Sequence, residues 1–163
     1  MIKIGILGDI GSGKSYIAKN FGYPVFNADE EVNKLYKKNK RIFIKLKKVL
    51  PKFIYSFPIN KNEIIKAIFA NKMNLKKITK IIHSEIRKEM SKFLKKHVKK
   101  KIVILDIPLL LENKINKKED ILVFVKSNKK DILKRLKKRP GFNYNLFIKF
   151  KKIQLPLDYK MRK

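Results

Sequence analysis

Four short apolar runs divide the chain, and each has the length of a buried β-strand. They occupy residues 2–7, 23–27, 101–106 and 121–125. Each run is mostly apolar and lacks the strict alternation that a strand with one solvent-exposed face would show. Runs of this kind are typical of parallel sheets that are covered by helices on both faces, so the pattern predicts such a sheet with four strands.

The segments between these runs show the spacing of helices. One helix is predicted at 15–21, directly after a glycine-rich turn, and two others at 128–138 and 144–154. The dipeptide Pro140-Gly141 between the last two is a strong turn signal. Helices that separate apolar strands favour the α/β class.

The long segment 29–100 has helical spacing and no strand pattern. Its apolar residues recur three and four positions apart in two groups: Ile64, Ile65, Ile68 and Phe69, and then Ile78, Ile81, Ile82, Ile86 and Met90. Pro51 and Pro58 predict breaks between helices within the segment. The sequence therefore predicts a helical region inserted between the second and third strands.

Residues 8–15 carry the clearest chemical signal in the chain. They read Gly-Asp-Ile-Gly-Ser-Gly-Lys-Ser and match the pattern G-x-x-x-x-G-K-[ST] between a strand and a helix. Glycines let successive backbone N–H groups turn toward phosphate oxygens, and the following helix presents its positive end to the same anion. In this pattern the lysine, Lys14, reaches the β- and γ-phosphates of ATP, and the hydroxyl of Ser15 binds Mg²⁺. The predicted nucleotide-binding residues are Gly8, Gly11, Ser12, Gly13, Lys14, Ser15 and Tyr16.

An ordinary glycine turn is the alternative interpretation of this segment. Four of the six glycines in the chain lie at positions 5, 8, 11 and 13. At an average glycine frequency of about 7%, a chance match to the whole pattern has odds of roughly one in a hundred or less. We therefore interpret the segment as a phosphate-binding loop.

The formal net charge of +30 raises the question of nucleic-acid binding, because clustered basic residues release counterions from phosphate backbones. Only five of the 43 basic residues are arginines, and the lysines are spread along the whole chain. Dispersed lysine favours a solvated surface over a dedicated nucleic-acid face. No specific nucleic-acid partner is expected.

The absence of cysteine excludes a disulfide framework and a thiolate metal site, and it is compatible with a reducing compartment. The longest apolar stretch, 102–111, is interrupted by Asp106 and Pro108 and is too short to span a membrane. The first residues read as a strand and not as a secretory signal. We expect a cytoplasmic protein with no membrane partner.

Several motifs along the chain resemble those of the dephospho-CoA kinase family, in the order in which that family shows them. They are the loop at 6–15, Phe-Asn-Ala-Asp at 26–29, Ile-His-Ser-Glu-Ile-Arg at 82–87, Pro-Leu-Leu-Leu-Glu at 108–112, Arg135 and Arg139 with Gly141, and Gln154. The resemblance covers residues 4 to about 160. It implies ATP-dependent phosphorylation of the ribose 3′-hydroxyl of dephospho-CoA, with Mg²⁺, by a monomer or weak oligomer.

The same resemblance implies a three-layer P-loop kinase fold in a single domain over residues 1–163. Its core would comprise 1–28, 101–127 and 144–163, its helical substrate region 29–100, and its lid 128–143. The family continues beyond the position of Lys163 into a last strand, so the last strand of the sheet is expected to be absent here.

Two carboxylates follow predicted strands. Asp29 comes after the second strand, and the resemblance implies that it is the base or orienting group for the 3′-hydroxyl; a helix N-cap is the alternative. Asp106 ends the third strand, where an unpaired carboxylate is costly. A Mg²⁺-holding role is favoured for it, with capping or a structural ion pair as the alternative. Glu112 is expected to order the loop that follows.

Three of the five arginines fall on positions that match the family's motifs. The resemblance implies that Arg135 and Arg139 close over the ATP phosphates and that Arg87 lies on the acceptor side. Arginine binds phosphate through a planar fork that lysine lacks, so its use in a lysine-rich chain is informative. An exposed basic helix face is the alternative for Arg135 and Arg139.

This chain also departs from the family pattern. Asp9 stands where the family usually has glycine, Asn27 replaces an aspartate, and Phe150 stands at an arginine position. Two alternatives stay open, the first because the superfamily shares the loop and the lid, and the second because of the missing last strand, Asp9 and the high charge. One is a nucleoside or nucleotide kinase of the same superfamily, and the other is a truncated, non-catalytic relative that binds ATP or nucleic acid.

Overall fold

A computed structural model describes all 163 residues as an α/β protein. The strands are β1 (Ile2–Gly8), β2 (Val25–Asn27), β3 (Ile102–Asp106) and β4 (Ile121–Val125). The helices are α1 (Lys14–Asn20), α2 (Ala28–Lys38), α3 (Lys40–Val49), α4 (Lys61–Ala70), α5 (Lys72–Lys96), α6 (Lys129–Lys137), α7 (Tyr144–Lys151) and α8 (Leu157–Met161). None of these helices combines the length and apolar character that a membrane span requires.

The four strands form one parallel sheet in the order β2-β3-β1-β4. This confirms the predicted fold class and strand number. The parallel arrangement brings the carboxyl ends of all four strands to the same edge of the sheet, which is where α/β proteins place their ligands. The loop after β1 and the end of β3 therefore lie side by side.

Apolar packing around β1 and β3 fixes the centre of the sheet. Ile6 and Ile104 are almost completely buried and pack with Ala18 of α1. β4 lies at an edge of the sheet, and its first residue, Ile121, is 49% exposed.

The chain divides into two compact units, Met1–Asn27 with Lys96–Lys163, and Ala28–Lys95. The second unit contains helices only, as the spacing predicted, and Pro51 and Pro58 both lie between α3 and α4. The residues of the predicted apolar groups that are buried are Ile64, Ile68, Ile78, Ile82 and Ile86. Phe69, by contrast, is 44% exposed. The division into one domain with a core, an insert and a lid remains a prediction.

The C-terminal region differs in detail from the sequence prediction. The helix predicted at 144–154 ends at Lys151, and the short helix α8 follows after Pro156. The pattern did not indicate α8, because five residues are too few to show helical periodicity.

A buried ion pair holds this C-terminal region to the loop that follows β3. Glu112 Oε1 accepts a hydrogen bond from Lys160 Nζ at 2.6 Å and another from the backbone N–H of Leu155 at 2.9 Å. The side chains of Glu112 and Lys160 are only 9% and 4% exposed. The expected loop-ordering role of Glu112 is consistent with these contacts.

Replacing Glu112 by Gln tests this attachment. The substitution leaves the Lys160 ammonium buried without its counter-charge, which costs about 3 kcal/mol of the free energy of unfolding. Urea denaturation measures that loss. Glu119→Gln is the matched control, because Glu119 is 66% exposed and its ion pair with Lys3 is long, at 4.0 Å; the control should change stability by less than about 0.5 kcal/mol. Equal stability of the two variants would contradict the structural role of Glu112.

Candidate functional site

The loop between β1 and α1 has the backbone conformation of a phosphate cradle. Gly8 and Gly11 have φ of 144° and 82°, in the region that side chains strongly disfavour. A Cβ atom on Gly8 would lie 2.7 Å from the carbonyl oxygen of Val125, and one on Gly11 would lie 2.9 Å from Leu136 Cγ. Glycine is required at both positions for conformational and steric reasons.

Helix α1 begins directly after this loop, and no side chain caps its N-terminus. Gly13 is the N-cap of α1 and provides no side-chain hydrogen bond to the first turn, which contains no acidic residue. The first N–H groups of a helix need acceptors, and they attract anions. The hydroxyl oxygen of Ser12 is also buried without a hydrogen-bond partner. The helix N-terminus and the unsatisfied Ser12 hydroxyl fit the oxygens of a bound triphosphate.

Lys14 places its charge inside the loop. Its Nζ donates hydrogen bonds to the carbonyl oxygens of Asp9 at 2.7 Å and Gly8 at 3.3 Å. The Asp9 carbonyl also accepts from the backbone N–H of Ser12, at 3.1 Å. The loop thus holds its own cation through backbone carbonyl oxygens of residues 8 and 9.

The structure brings Arg135 to this loop from the distant helix α6. Its Nη1 donates to the carbonyl oxygen of Ser12 and to Ser127 Oγ, both at 3.2 Å. Ser127 Oγ in turn donates to the same Ser12 carbonyl at 2.9 Å. Arg139 follows the C-cap of α6, Lys138, and is exposed. Only the first of the two predicted lid arginines contacts the loop here.

Asp106 is at the carboxyl end of β3 and is 3% exposed. Its Oδ2 accepts a hydrogen bond of 2.7 Å from the Asn27 side-chain amide, since Asn27 and Asp106 are register partners in the sheet. That bond restricts the rotation of the carboxylate. The sequence marked Asn27 only as a departure from a pattern, and its position opposite Asp106 depends on strand pairing.

The carboxylate of Asp9 is buried behind the loop. It is 6% exposed, and its Oδ1 accepts from the backbone N–H of Ile10 at 2.7 Å. Lys151 Nζ, at the end of α7, lies 3.6 Å from its other oxygen. The sequence marked Asp9 only as a departure from the family's glycine and did not predict this partner. Lys151 lies in a run of basic residues, and only the folded chain distinguishes it.

The predicted residues Asp29 and Arg87 belong to the helical unit. Asp29 is exposed and lies in the first turn of α2 together with Glu30 and Glu31, a favourable place for carboxylates near a helix N-terminus. Arg87 is exposed on α5. Burial lowers the pKa of His83, one turn earlier, and the charge of Arg87 lowers it further. Both effects favour the neutral form of the His83 imidazole.

The residues of the cradle fit a nucleotide and one Mg²⁺ ion. Ser15 and Asp106 supply a hydroxyl and a carboxylate oxygen, the hard ligands that Mg²⁺ prefers. The chain has no cluster of three or more His, Cys, Asp or Glu residues that would hold a metal alone. Mg²⁺ in kinases is held by one or two protein oxygens together with phosphate, and a hydroxyl and a carboxylate are donors of that kind.

Comparison with known proteins places this geometry in a family. The dephospho-CoA kinase family profile matches residues 2–163. A protein named dephospho-CoA kinase from Wolbachia sp. subsp. Brugia malayi (strain TRS) is 33% identical over 162 residues, which cover 96% of this chain and 83% of that protein. The protein of the same name from Rickettsia bellii (strain RML369-C) is 31% identical over 166 residues, covering 100% and 85%.

A solved structure shows the same fold. The crystal structure of TT1252 from Thermus thermophilus superposes with a TM-score of 0.80 at 26% identity, covering 99% of this chain and 84% of that one. The family profile and the solved structure each match nearly the whole chain. The chain therefore belongs to the dephospho-CoA kinase family, and it is an ATP-dependent kinase.

Proposed function

We propose that this protein transfers the γ-phosphoryl group of ATP to the ribose 3′-hydroxyl of dephospho-CoA, giving ADP and coenzyme A. The observation that carries the proposal is the cradle at residues 8–15, with Lys14 held inside it and Arg135 against it. Family membership supports the choice of acceptor. The reaction takes place in the cytoplasm, in a monomer or weak oligomer, and involves neither nucleic acid nor a membrane.

Phosphoryl transfer needs positioning and charge neutralisation more than covalent chemistry. The 3′-oxygen bonds to the γ-phosphorus as the bond from that phosphorus to the β–γ bridging oxygen breaks, and the leaving electron pair stays on ADP. Lys14 and Arg135 offset the charge on the phosphate oxygens. Arg139 closes over the transferring group and excludes water.

Ser15 and Asp106 would hold Mg²⁺, with the Asn27 amide restricting the carboxylate. When bound, the ion neutralises charge on the β- and γ-phosphate oxygens. Ser15 is the last residue of the cradle, at the start of α1, and Asp106 is at the end of β3. Although the two residues are far apart in sequence, the pairing of β1 with β3 brings these two parts of the chain together.

Asp29 accepts the proton of the attacking hydroxyl, and Arg87 binds an anionic group of the acceptor. A carboxylate suits the first task because it is ionised at neutral pH and accepts hydrogen bonds only. A guanidinium suits the second because it pairs with phosphate in a bidentate manner. Both roles follow from the match to the family's motifs at 26–29 and 82–87.

The choice of acceptor is tested by a coupled ADP-release assay. With ATP and Mg²⁺, we expect turnover with dephospho-CoA and none above background with nucleosides or nucleoside monophosphates. Preference for a nucleoside or nucleotide would establish the related kinase activity instead. Binding of ATP or RNA without transfer to any acceptor would establish the non-catalytic alternative.

The same assay tests the cradle. Lys14→Ala removes the loop's cation and should lower kcat/KM by about 10²–10³-fold, the range for loss of one transition-state charge donor. Lys19→Ala, on the exposed side of the same helix, is the matched control and should retain near-normal activity. A fully active Lys14→Ala protein would remove the assignment of the loop.

Asp29→Asn preserves the shape of the side chain and removes its basicity. We expect kcat to fall by about 10²-fold, as for loss of a general base, with little change in the KM for ATP. Glu30→Gln removes the same charge from the same helix turn and controls for a helix-dipole contribution. Equal effects of the two substitutions would assign Asp29 a structural role.

Arg139→Lys keeps the charge and loses the planar fork. A residue that closes over the phosphates should then show kcat lowered by at least about tenfold. Arg162→Lys, at the exposed end of α8, provides the control. Unchanged kcat in Arg139→Lys would favour an exposed basic face at the end of α6.

A further inference from the structure

We propose that Lys151 is a positioning residue for ATP, because it neutralises the carboxylate of Asp9 behind the phosphate cradle. The proposal rests on the proposed binding of ATP at residues 8–15. It adds a determinant of nucleotide affinity that lies outside the loop motif, on α7.

The negative charge of Asp9 opposes the binding of phosphate groups in the cradle. Its carboxylate is buried next to a loop that is otherwise arranged to attract a polyanion. Only its Oδ1 is satisfied within the loop, by the N–H of Ile10 at 2.7 Å. A buried carboxylate without a counter-charge would repel the phosphates across a region of low dielectric.

Lys151 provides the counter-charge. Its Nζ lies 3.6 Å from Asp9 Oδ2, and the Asp9 side chain is 8% exposed. The chain offers many lysines, but this is the ion pair that the structure shows for Asp9. Since the Lys151 side chain is 47% exposed, its effect is moderated by solvent and should be modest in size.

Apolar packing holds this lysine in place relative to the loop. The ammonium lies 5.5 Å from the centroid of the Phe147 ring, one turn earlier on α7. Phe147 is buried against Ile132 and Leu136 of α6, and Ile10 of the loop packs against the same cluster. The loop residue next to Asp9 and the helix that carries Lys151 therefore share one apolar contact region.

A double-mutant cycle on the whole protein tests the proposal. The dissociation constant of Mg-ATP is measured by calorimetry, without acceptor, for the wild type, Lys151→Met, Asp9→Asn and the double variant. We expect Lys151→Met to weaken binding about fivefold, since a partly exposed ion pair contributes about 1 kcal/mol and 1.4 kcal/mol corresponds to tenfold. In the Asp9→Asn background the same substitution should change the constant by less than about 1.5-fold.

Three further measurements separate this role from a merely structural one. Lys151→Arg should restore most of the affinity, because it returns the charge. Lys152→Met removes a charge from the next residue, which is exposed at the C-cap of α7, and should not change ATP binding. In the kinase assay, Lys151→Met should raise the KM for ATP and leave the KM for the acceptor unchanged.

Equal weakening by Lys151→Met in the wild-type and the Asp9→Asn backgrounds would overturn the proposal, as would no weakening in either. Thermal unfolding of each variant identifies a loss of affinity that comes from a loss of fold, which would also count against it. The outcome is distinct from that of the proposed function: coupling in ATP affinity stands even if no transfer to dephospho-CoA occurs. Failure of the wild type to bind Mg-ATP would overturn both.

Discussion

The functional part of this protein depends on a backbone bend that has no room for side chains. Gly8 and Gly11 have positive φ, and a Cβ on either would collide with Val125 of the neighbouring strand or Leu136 of α6. The close approach of α6 to the loop is what brings Arg135 within 3.2 Å of the Ser12 carbonyl. The positive φ angles and the close packing thus require glycine at the same two positions. Because α6 can approach the loop so closely, Arg135 lies next to it.

The parallel sheet brings together functional residues from distant parts of the chain. Residues 27, 106 and 8–15 are far apart in sequence, yet they meet because β2, β3 and β1 are neighbours that point in the same direction. Asn27 binds the carboxylate of Asp106 across two strands. The largely apolar sheet can tolerate Asn27 and Asp106 because both lie at strand ends and are hydrogen-bonded to each other.

The large positive net charge contributes little to the stability of the fold or to the arrangement of the candidate site. Most lysines are exposed, and ion pairs such as Lys34–Glu31 and Lys92–Glu89 join neighbouring turns of one helix, where they contribute little to stability. The charges that matter locally are few and are fixed by burial. Glu112 and Lys160 hold the C-terminal region, and Asp9 is paired with Lys151 beside the cradle. The lysine-rich composition therefore reflects the exposed surface, and the ion pairs with a specific structural effect are those that include a buried group.

The sequence by itself determined the elements and the class of chemistry. Strand and helix patterns are local, so the four strands and the helices α1, α6 and α7 were predictable within a few residues, and the segment 29–100 was predictable as helical without the bounds of its helices. The loop at 8–15 is recognisable because its function requires contiguous residues. Tertiary structure decided the strand order, the hydrogen bond from Asn27 to Asp106, the contact of Arg135 with Ser12, and the choice of Lys151 among many similar lysines. These features join residues that are distant in the chain, and no periodicity encodes which side chains meet once the chain has folded. Short elements such as α8 escape prediction for a related reason, since their stability comes from packing and not from a local repeat.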